Sequence, residues 1–273
     1  MYRAYHHFRQ RCQGRLALGR IHPTAIVDPA AELAADVEVG AYTLIGPKVS
    51  IGPGSSVGPH CVIEGPTRIG RNNRIWQFCS LGAAPQDKKY AGEDTWLEIG
   101  DDNTIREFCT FNRGTAQDAG VTRVGNDNWI MAYVHLAHDC QIGNHTIFAN
   151  NAQLAGHVHV GDWAILGGFT VVHQFVKIGM HAISGMGSIL FKDLPTYVTC
   201  AGNPAAPHGV NSEGLKRRGF TAVQIDNVRR AYKTLYKNAL TLEEAKQELA
   251  LQAEPEIEAL LEFLAAAKRG IMR

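Results

Sequence analysis

The feature that most constrains this chain is a repeat of six. From Ile21 an apolar anchor returns at every sixth residue, through Val27, Leu33, Val39, Ile45, Ile51, Val57, Ile63, Ile69, Ile75 and Leu81. The step resumes at Ile99, Ile105 and Phe111, and again from Val124 through Ile130, Leu136, Ile142, Phe148, Leu154, Val160, Leu166, Val172, Ile178, Ser184 and Leu190. Only Ser184 among these 26 anchors is not apolar. Six residues are too few for a helical hairpin and too regular for a sandwich, so the pattern predicts a parallel β-helix. Three hexads make one triangular coil, which stacks residues eighteen apart about 4.8 Å from each other. The hexads then build a prism on the order of 40 Å long.

Two further positions keep the same period. The residue after the anchor is often glycine, as at Gly40, Gly46, Gly52, Gly58, Gly70, Gly100, Gly125, Gly143, Gly161 and Gly179; the expectation is a corner conformation that other residues resist. The fourth residue after the anchor is mostly small, including Thr43, Ser55, Cys61, Cys79, Cys109 and Cys140, which suits an inward-pointing site. These four cysteines therefore read as reduced core thiols, while Cys12 and Cys200 are placed outside the prism.

Residues 82–98 and 112–123 break the repeat with polar residues and glycine, and are expected to leave the prism as loops. A purely structural solenoid gains little from such excursions, whereas loops on a rigid scaffold commonly carry function. The expected organisation is an extension over 1–20, a prism over 21–195 and a helical domain over 196–273 that covers one end of it. Thr221 with Gln224 and Thr241 with Glu244 have capping-box spacing.

A formal net charge of +1 provides no overall field for nucleic acid or an anionic membrane. No apolar run approaches the roughly 20 residues of a transmembrane helix, and the opening residues lack a signal-peptide pattern, so a cytoplasmic location is the expectation. The arginine-rich first twenty residues read as a floppy extension.

The stacking rule assembles a chemical site. His138, Gly156 and Gln174 share one column and Asp139, His157 and Phe175 the next, with His173 beside Gln174 and His135 on the strand leading in. A neutral imidazole can accept a proton at physiological pH. An adjacent carboxylate fixes its tautomer, and glycine leaves a backbone N–H open to a developing oxyanion. Zinc is the competing use of neighbouring histidines, although Gly156 interrupts the His138 column with no ligand. Cys140 is the nearest thiol, but its hexad position turns it inward.

Several segments carry a resemblance to a known family: IHPTAIV at the prism start, QDKKYAGE in the first loop, RGT at 113–115, HLAHDC at 135–140, NNAQLAGHV at 150–158, VHQF at 172–175 and GVNSEGLKRRGF at 209–220. Over about residues 21–273 the chain resembles the UDP-N-acetylglucosamine O-acyltransferases of lipid A biosynthesis. The resemblance implies a left-handed prism, a homotrimer with sites between neighbouring prisms, no cofactor, and a 3-hydroxyacyl chain moved from acyl carrier protein to the sugar 3-hydroxyl. It implies His138 as general base, Asp139 as its orienting partner and Gly156 as oxyanion donor. His135, His157, Asp87, Lys89 and Gln174 would position sugar and acyl groups. His173, Asn211, Glu213, Arg217 and Arg218 would hold the nucleotide end.

Two positions depart from the family pattern. Asn112 stands where some members have histidine, and Met186 where long-chain members have glycine. Met186 lies 48 residues beyond His138, about 13 Å along the prism at the coil spacing above, which implies a ruler near ten carbons. The alternative is that Met186 fills a gap in the wall. The rival enzyme on the same fold is a γ-type zinc carbonic anhydrase, and the non-enzymatic rival a binding solenoid.

Overall fold

A computed structural model describes residues 20–252, 254–267 and 270–273. Residues 1–19, including Cys12 and nearly all of the expected extension, lie outside the described residues. Residues up to about 200 form the parallel β-helix that the hexads predict, left-handed as the resemblance implies, and helices follow. Its short strands form three parallel faces. The first sheet starts at Ile26–Val27, the second at Glu32–Leu33 and the third at Glu38–Val39. Register follows the eighteen-residue turn: Ile26 pairs with Leu44, Leu33 with Ile51 and Val39 with Val57. The anchors fill the interior; Ile63, Leu81, Ile105, Phe111, Ile130, Leu136 and Phe148 are fully buried. Ser184 is tolerated there because its hydroxyl meets Thr170 Oγ1 at 2.8 Å.

The corners correct one expectation. Left-handed backbone falls on the third residue after the anchor, at Tyr42, His60, Phe78, Phe108, Tyr133, Asp139, His157 and Phe175 among others, with φ between 56° and 66° at these positions. None of the corner glycines named above has positive φ. Except at Gly46, they are there because coils approach closely: a Cβ on Gly40 would lie 2.5 Å from the Pro59 nitrogen, and one on Gly58 2.7 Å from that of Gln77. The second residue after the anchor accepts proline at 47, 53 and 59, which shows that its N–H is not needed by the ladder.

A second correction concerns the end of the prism. The third sheet runs past residue 195, because Cys200 pairs with Ser184, and the second is extended by Leu194, which bridges to Ile178. The spacing there is sixteen residues, so a search for sixes misses it. Cys200 is consequently a core residue of the prism, 3% exposed, instead of lying outside it. The inward thiols are inert; burial pushes Cys140 and Cys200 up to about 12.

The strand Ala205–Val210 turns back antiparallel on Val198–Gly202 and leads into four helices, α1 (Ser212–Arg217), α2 (Ala222–Tyr236), α3 (Leu242–Ala250) and α4 (Pro255–Ala266). Both anticipated capping boxes form, at the starts of α2 and α3. The helices have their own core around Leu215, Val228, Leu235, Leu249, Ile257 and Leu264. The chain end returns to the last coil, where Met272 N–H donates to Asp193 O and Met272 joins the prism core.

Candidate active site

One corner of the prism, where chain passes from the first sheet to the second, collects both loops and the histidines. The first loop leaves the strand Ser80–Ala83 and the second the strand Thr110–Asn112, both in the first sheet. They return as Trp96–Ile99 and Val121–Val124 of the second. One and two coils on, the same corner carries His138 and Asp139, then Gly156 and His157. His173, Gln174 and Phe175 follow on the next coil.

His138 sits over the backbone of Gly156. A Cβ at position 156 would come within 2.5 Å of the ring Cε1 and 2.7 Å of Nε2, so glycine is what lets the imidazole lie there. Nδ1 of His138 faces Asp139 Oδ2 at 2.8 Å. A carboxylate accepts, so Nδ1 carries the proton and Nε2 is left as the basic nitrogen. Gly156 N–H has no protein acceptor among the described residues, consistent with the proline-tolerant hexad position it occupies.

The second loop holds the carboxylate. Asp139 is 1% exposed and accepts from Thr115 N–H at 2.9 Å and Thr115 Oγ1 at 2.6 Å, while its own N–H donates to Thr122 Oγ1 at 2.8 Å. Burying a carboxylate is costly unless hydrogen bonds replace water. Here they do. His157 packs edge-on to His138 with ring centroids 5.0 Å apart, stacks on Phe175 at 4.3 Å and meets Asp118 through Nδ1 at 2.7 Å. His135 meets Thr110 Oγ1 at 2.7 Å, and burial lowers its pKa. Thr115 and Asp118, on a loop that breaks the period, and Thr122, on the strand where it returns, escaped sequence reasoning; only the RGT motif touches one of them.

The remaining expected residues divide. His173 and Gln174 are exposed one coil beyond Gly156, His173 with its ring 6.1 Å from that of Phe191. Asp87 and Lys89 stand on the first loop, where Lys89 N–H donates to Asp87 Oδ1 at 3.0 Å; no hydrogen bond or ion pair links them to His138 among the described residues. The loop itself is tied down by Arg113, which donates to Gly65 O, Gly82 O and the Tyr90 hydroxyl.

Asn211 is 5% exposed and its amide is occupied, capping α1 through Gly214 N–H and donating to His181 O. Both ends of the side chain thus take part in hydrogen bonds of the fold. Glu213 and Arg217 are exposed on α1. Arg218 lies with its guanidinium carbon 5.0 Å from the Trp163 ring centroid, and Nη1 is buried without a partner. Trp163 belongs to the corner between the second and third sheets, not the corner of His138.

Met186 occupies yet another edge, between the third and first sheets, and is 80% exposed. It fills no gap in the wall, and its non-integral offset of coils from His138 is explained by this change of corner. His138, Asp139 and His157 do bring possible metal-ligand atoms within 4.8 Å of one another. Both Nδ1 atoms, however, are engaged by Asp139 and Asp118.

Comparison with known proteins agrees with the geometry. Residues 193–272 match the family described as UDP-N-acetylglucosamine O-acyltransferase, domain 2, and residues 48–83 and 122–156 the bacterial transferase hexapeptide. The chain is 62% identical over 258 residues to the acyl-[acyl-carrier-protein]–UDP-N-acetylglucosamine O-acyltransferase of Thiobacillus denitrificans, covering 94% of this chain and 100% of the relative. A Janthinobacterium relative of the same name is also 62% identical, over 93% of this chain and 99% of its own. LpxA from Acinetobacter baumannii superimposes with a TM-score of 0.91 at 48% identity, covering 93% of this chain and 99% of that one. The plant enzyme of Arabidopsis, at 34% identity over 93% of this chain and 98% of its own, gives 0.73. None of these relatives favours the zinc anhydrase. The chain belongs to the UDP-N-acetylglucosamine O-acyltransferase family.

Proposed function

We propose that this chain catalyses the first acyl transfer of lipid A biosynthesis, from a 3-hydroxyacyl carrier protein to the 3-hydroxyl of UDP-N-acetylglucosamine. The observation that carries the mechanism is the 2.8 Å contact of His138 Nδ1 with the buried Asp139 carboxylate above Gly156. Nε2 of His138 takes the proton of the sugar hydroxyl as its oxygen attacks the thioester carbonyl, and Asp139 stabilises the imidazolium. The tetrahedral oxyanion receives the Gly156 N–H. On collapse the C–S bond breaks, the ester C–O bond remains, and His138 returns the proton to the departing thiolate. No metal or acyl-enzyme enters.

His135, His157 and Gln174 border the reacting centre, with Asp87 and Lys89 on the first loop and His173 one coil away. Arg217, Arg218 and Glu213 sit near a different corner from His138. A site using both sets needs two copies of the chain, which supports a homotrimer with its clefts between prisms. Met186 fits the same arrangement, because on the edge that a neighbouring copy would present it ends the acyl groove at about decanoyl length. A cytoplasmic location fits an enzyme fed by carrier protein and nucleotide sugar; among the described residues no helix is long and apolar enough to cross a membrane.

The test is an assay of UDP-N-acetylglucosamine with a panel of acyl carrier donors, read by product mass, for the wild type and His138→Ala. A general base contributes about 10²–10⁴ in rate, so near-full activity in the folded variant would reject the assignment. Met186→Gly is expected to improve use of myristoyl relative to decanoyl donors; an unchanged ratio places the ruler elsewhere. Stoichiometric zinc lost together with activity would favour the rival anhydrase.

A further inference from the structure

Two imidazoles stand at the corner under the second loop, and the loop addresses both. The chain turns at 116–119, where Asp118 N–H reaches Thr115 O at 3.3 Å. Trp96 closes the base of this turn: its carbonyl accepts from Gly114 N–H at 3.1 Å, and its N–H donates to Gly120 O at 2.8 Å. One braced piece of backbone therefore brings Thr115 to Asp139 and Asp118 to His157.

The contacts of His157 do different things. Its ring lies flat on Phe175, with 4.3 Å between centroids and 8° between planes, and stands edge-on to His138. Such packing sets the plane of an imidazole. A half-turn about Cβ–Cγ, however, exchanges Nδ1 with Cδ2 and Nε2 with Cε1 and leaves that plane unchanged, so packing alone does not choose the nitrogen. Asp118 chooses it. Its Oδ2 lies 2.7 Å from His157 Nδ1, and a carboxylate only accepts, so Nδ1 carries the proton and Nε2 is an acceptor.

Asp139 does not do this work. Its Oδ2 is 3.8 Å from His157 Nδ1, beyond a hydrogen bond, and already accepts from His138 Nδ1 and Thr115 Oγ1. Each imidazole thus has a carboxylate of its own. Stability does not account for the second pair either, because the Asp118 side chain is 44% exposed and an ion pair in that setting contributes little.

We infer that Asp118 is a positioning residue for the transfer: it holds His157 as the Nδ1–H tautomer and so presents Nε2 as a hydrogen-bond acceptor to a hydroxyl of the bound substrates. The inference rests on the proposed reaction, in which both the sugar and the 3-hydroxyacyl chain bring hydroxyl groups to this corner. Asp118 itself acts only through the ring.

The experiment uses the full-length protein, the single variants Asp118→Ala and His157→Ala, and their combination. Nitrogen-15 spectra of histidine-labelled protein, taken without substrate, read which ring nitrogen of His157 is protonated, so the positioning is tested whether or not transfer occurs. Acyl transfer by the wild type tests the reaction separately. The wild type is expected to carry the His157 proton on Nδ1, and Asp118→Ala to shift it toward Nε2 while His138 keeps its own on Nδ1. With the donor and UDP-N-acetylglucosamine, kcat/KM should fall about three- to tenfold in Asp118→Ala, the worth of one hydrogen bond. In the His157→Ala background the same substitution should cost nothing further, because its effect passes through that ring. A wild-type His157 protonated on Nε2 overturns the inference, as does a spectrum or a kcat/KM that Asp118→Ala leaves unchanged. An equal loss in both backgrounds also overturns it, and would make Asp118 a support of the loop alone.

Discussion

Asp139 and Tyr133 occupy the same hexad position, one corner apart, with φ of 61° and 65°. Yet Asp139 is 1% exposed and Tyr133 is 50% exposed. The Tyr133 corner is a bare ladder in which Tyr42, His60, Phe78, Phe108 and Tyr133 stack at 4.8–5.2 Å. The Asp139 corner is roofed by the second loop. The coil fixes where a side chain starts; the loop decides its dielectric and its partners. A carboxylate in the ladder would be solvated, whereas at the roofed corner it is held rigidly against His138 by Thr115.

Four perturbations would break or sharpen this contrast. The largest effect is expected from Gly156→Ala, whose methyl would displace the His138 ring. A misplacement of about 1 Å can cost around 10²-fold in rate, so kcat should fall while the melting transition changes little; wild-type kcat would show that the ring does not need the cleared space. Thr115→Val removes a hydrogen bond to a buried carboxylate and should destabilise by about 2–3 kcal/mol in denaturant titration. Loss below a few tenths of a kcal/mol would mean that the loop roof does not support Asp139.

The third concerns the corner between the second and third sheets, where His181 is wedged between Trp163 and Tyr197. Burial first, and Arg218 second, lower its pKa to about 4. Because the folded value lies below the unfolded one, the unfolded chain binds the extra proton as pH falls through about 6.5. Stability should therefore drop between about pH 6.5 and 4, by about 1–2 kcal/mol at pH 5, and His181→Gln should flatten that slope in thermal melts across pH. An unchanged slope assigns the acid sensitivity to other groups. The smallest effect belongs to the open ladder: Tyr133→Ala loses exposed stacking and should cost under about 1.5 kcal/mol without altering KM.

Much of the fold was legible because the anchors repeat, and stacking at eighteen residues placed His138 beside Gly156 and Asp139 beside His157 from spacing alone. Legibility failed where the period failed. Leu194 and Cys200 extend the prism at a spacing of sixteen, and Thr115 and Asp118 reach the site from a loop with no rhythm. The corner glycines were located correctly but for another reason: the left-handed residue is two positions later, and the glycine is needed for the close approach of the next coil. That Asn211, which the resemblance places at the nucleotide end, also caps a helix was not read from the sequence.

The sequence alone determined the coil, its stacking period and the column of imidazoles, because side-chain direction in a solenoid depends only on position within six residues. Only the tertiary structure decided which corner is roofed, that Asp139 is buried and satisfied by Thr115, and that Arg218 packs on Trp163 at a corner away from His138. Those outcomes depend on contacts between segments far apart along the chain, and no local period encodes them.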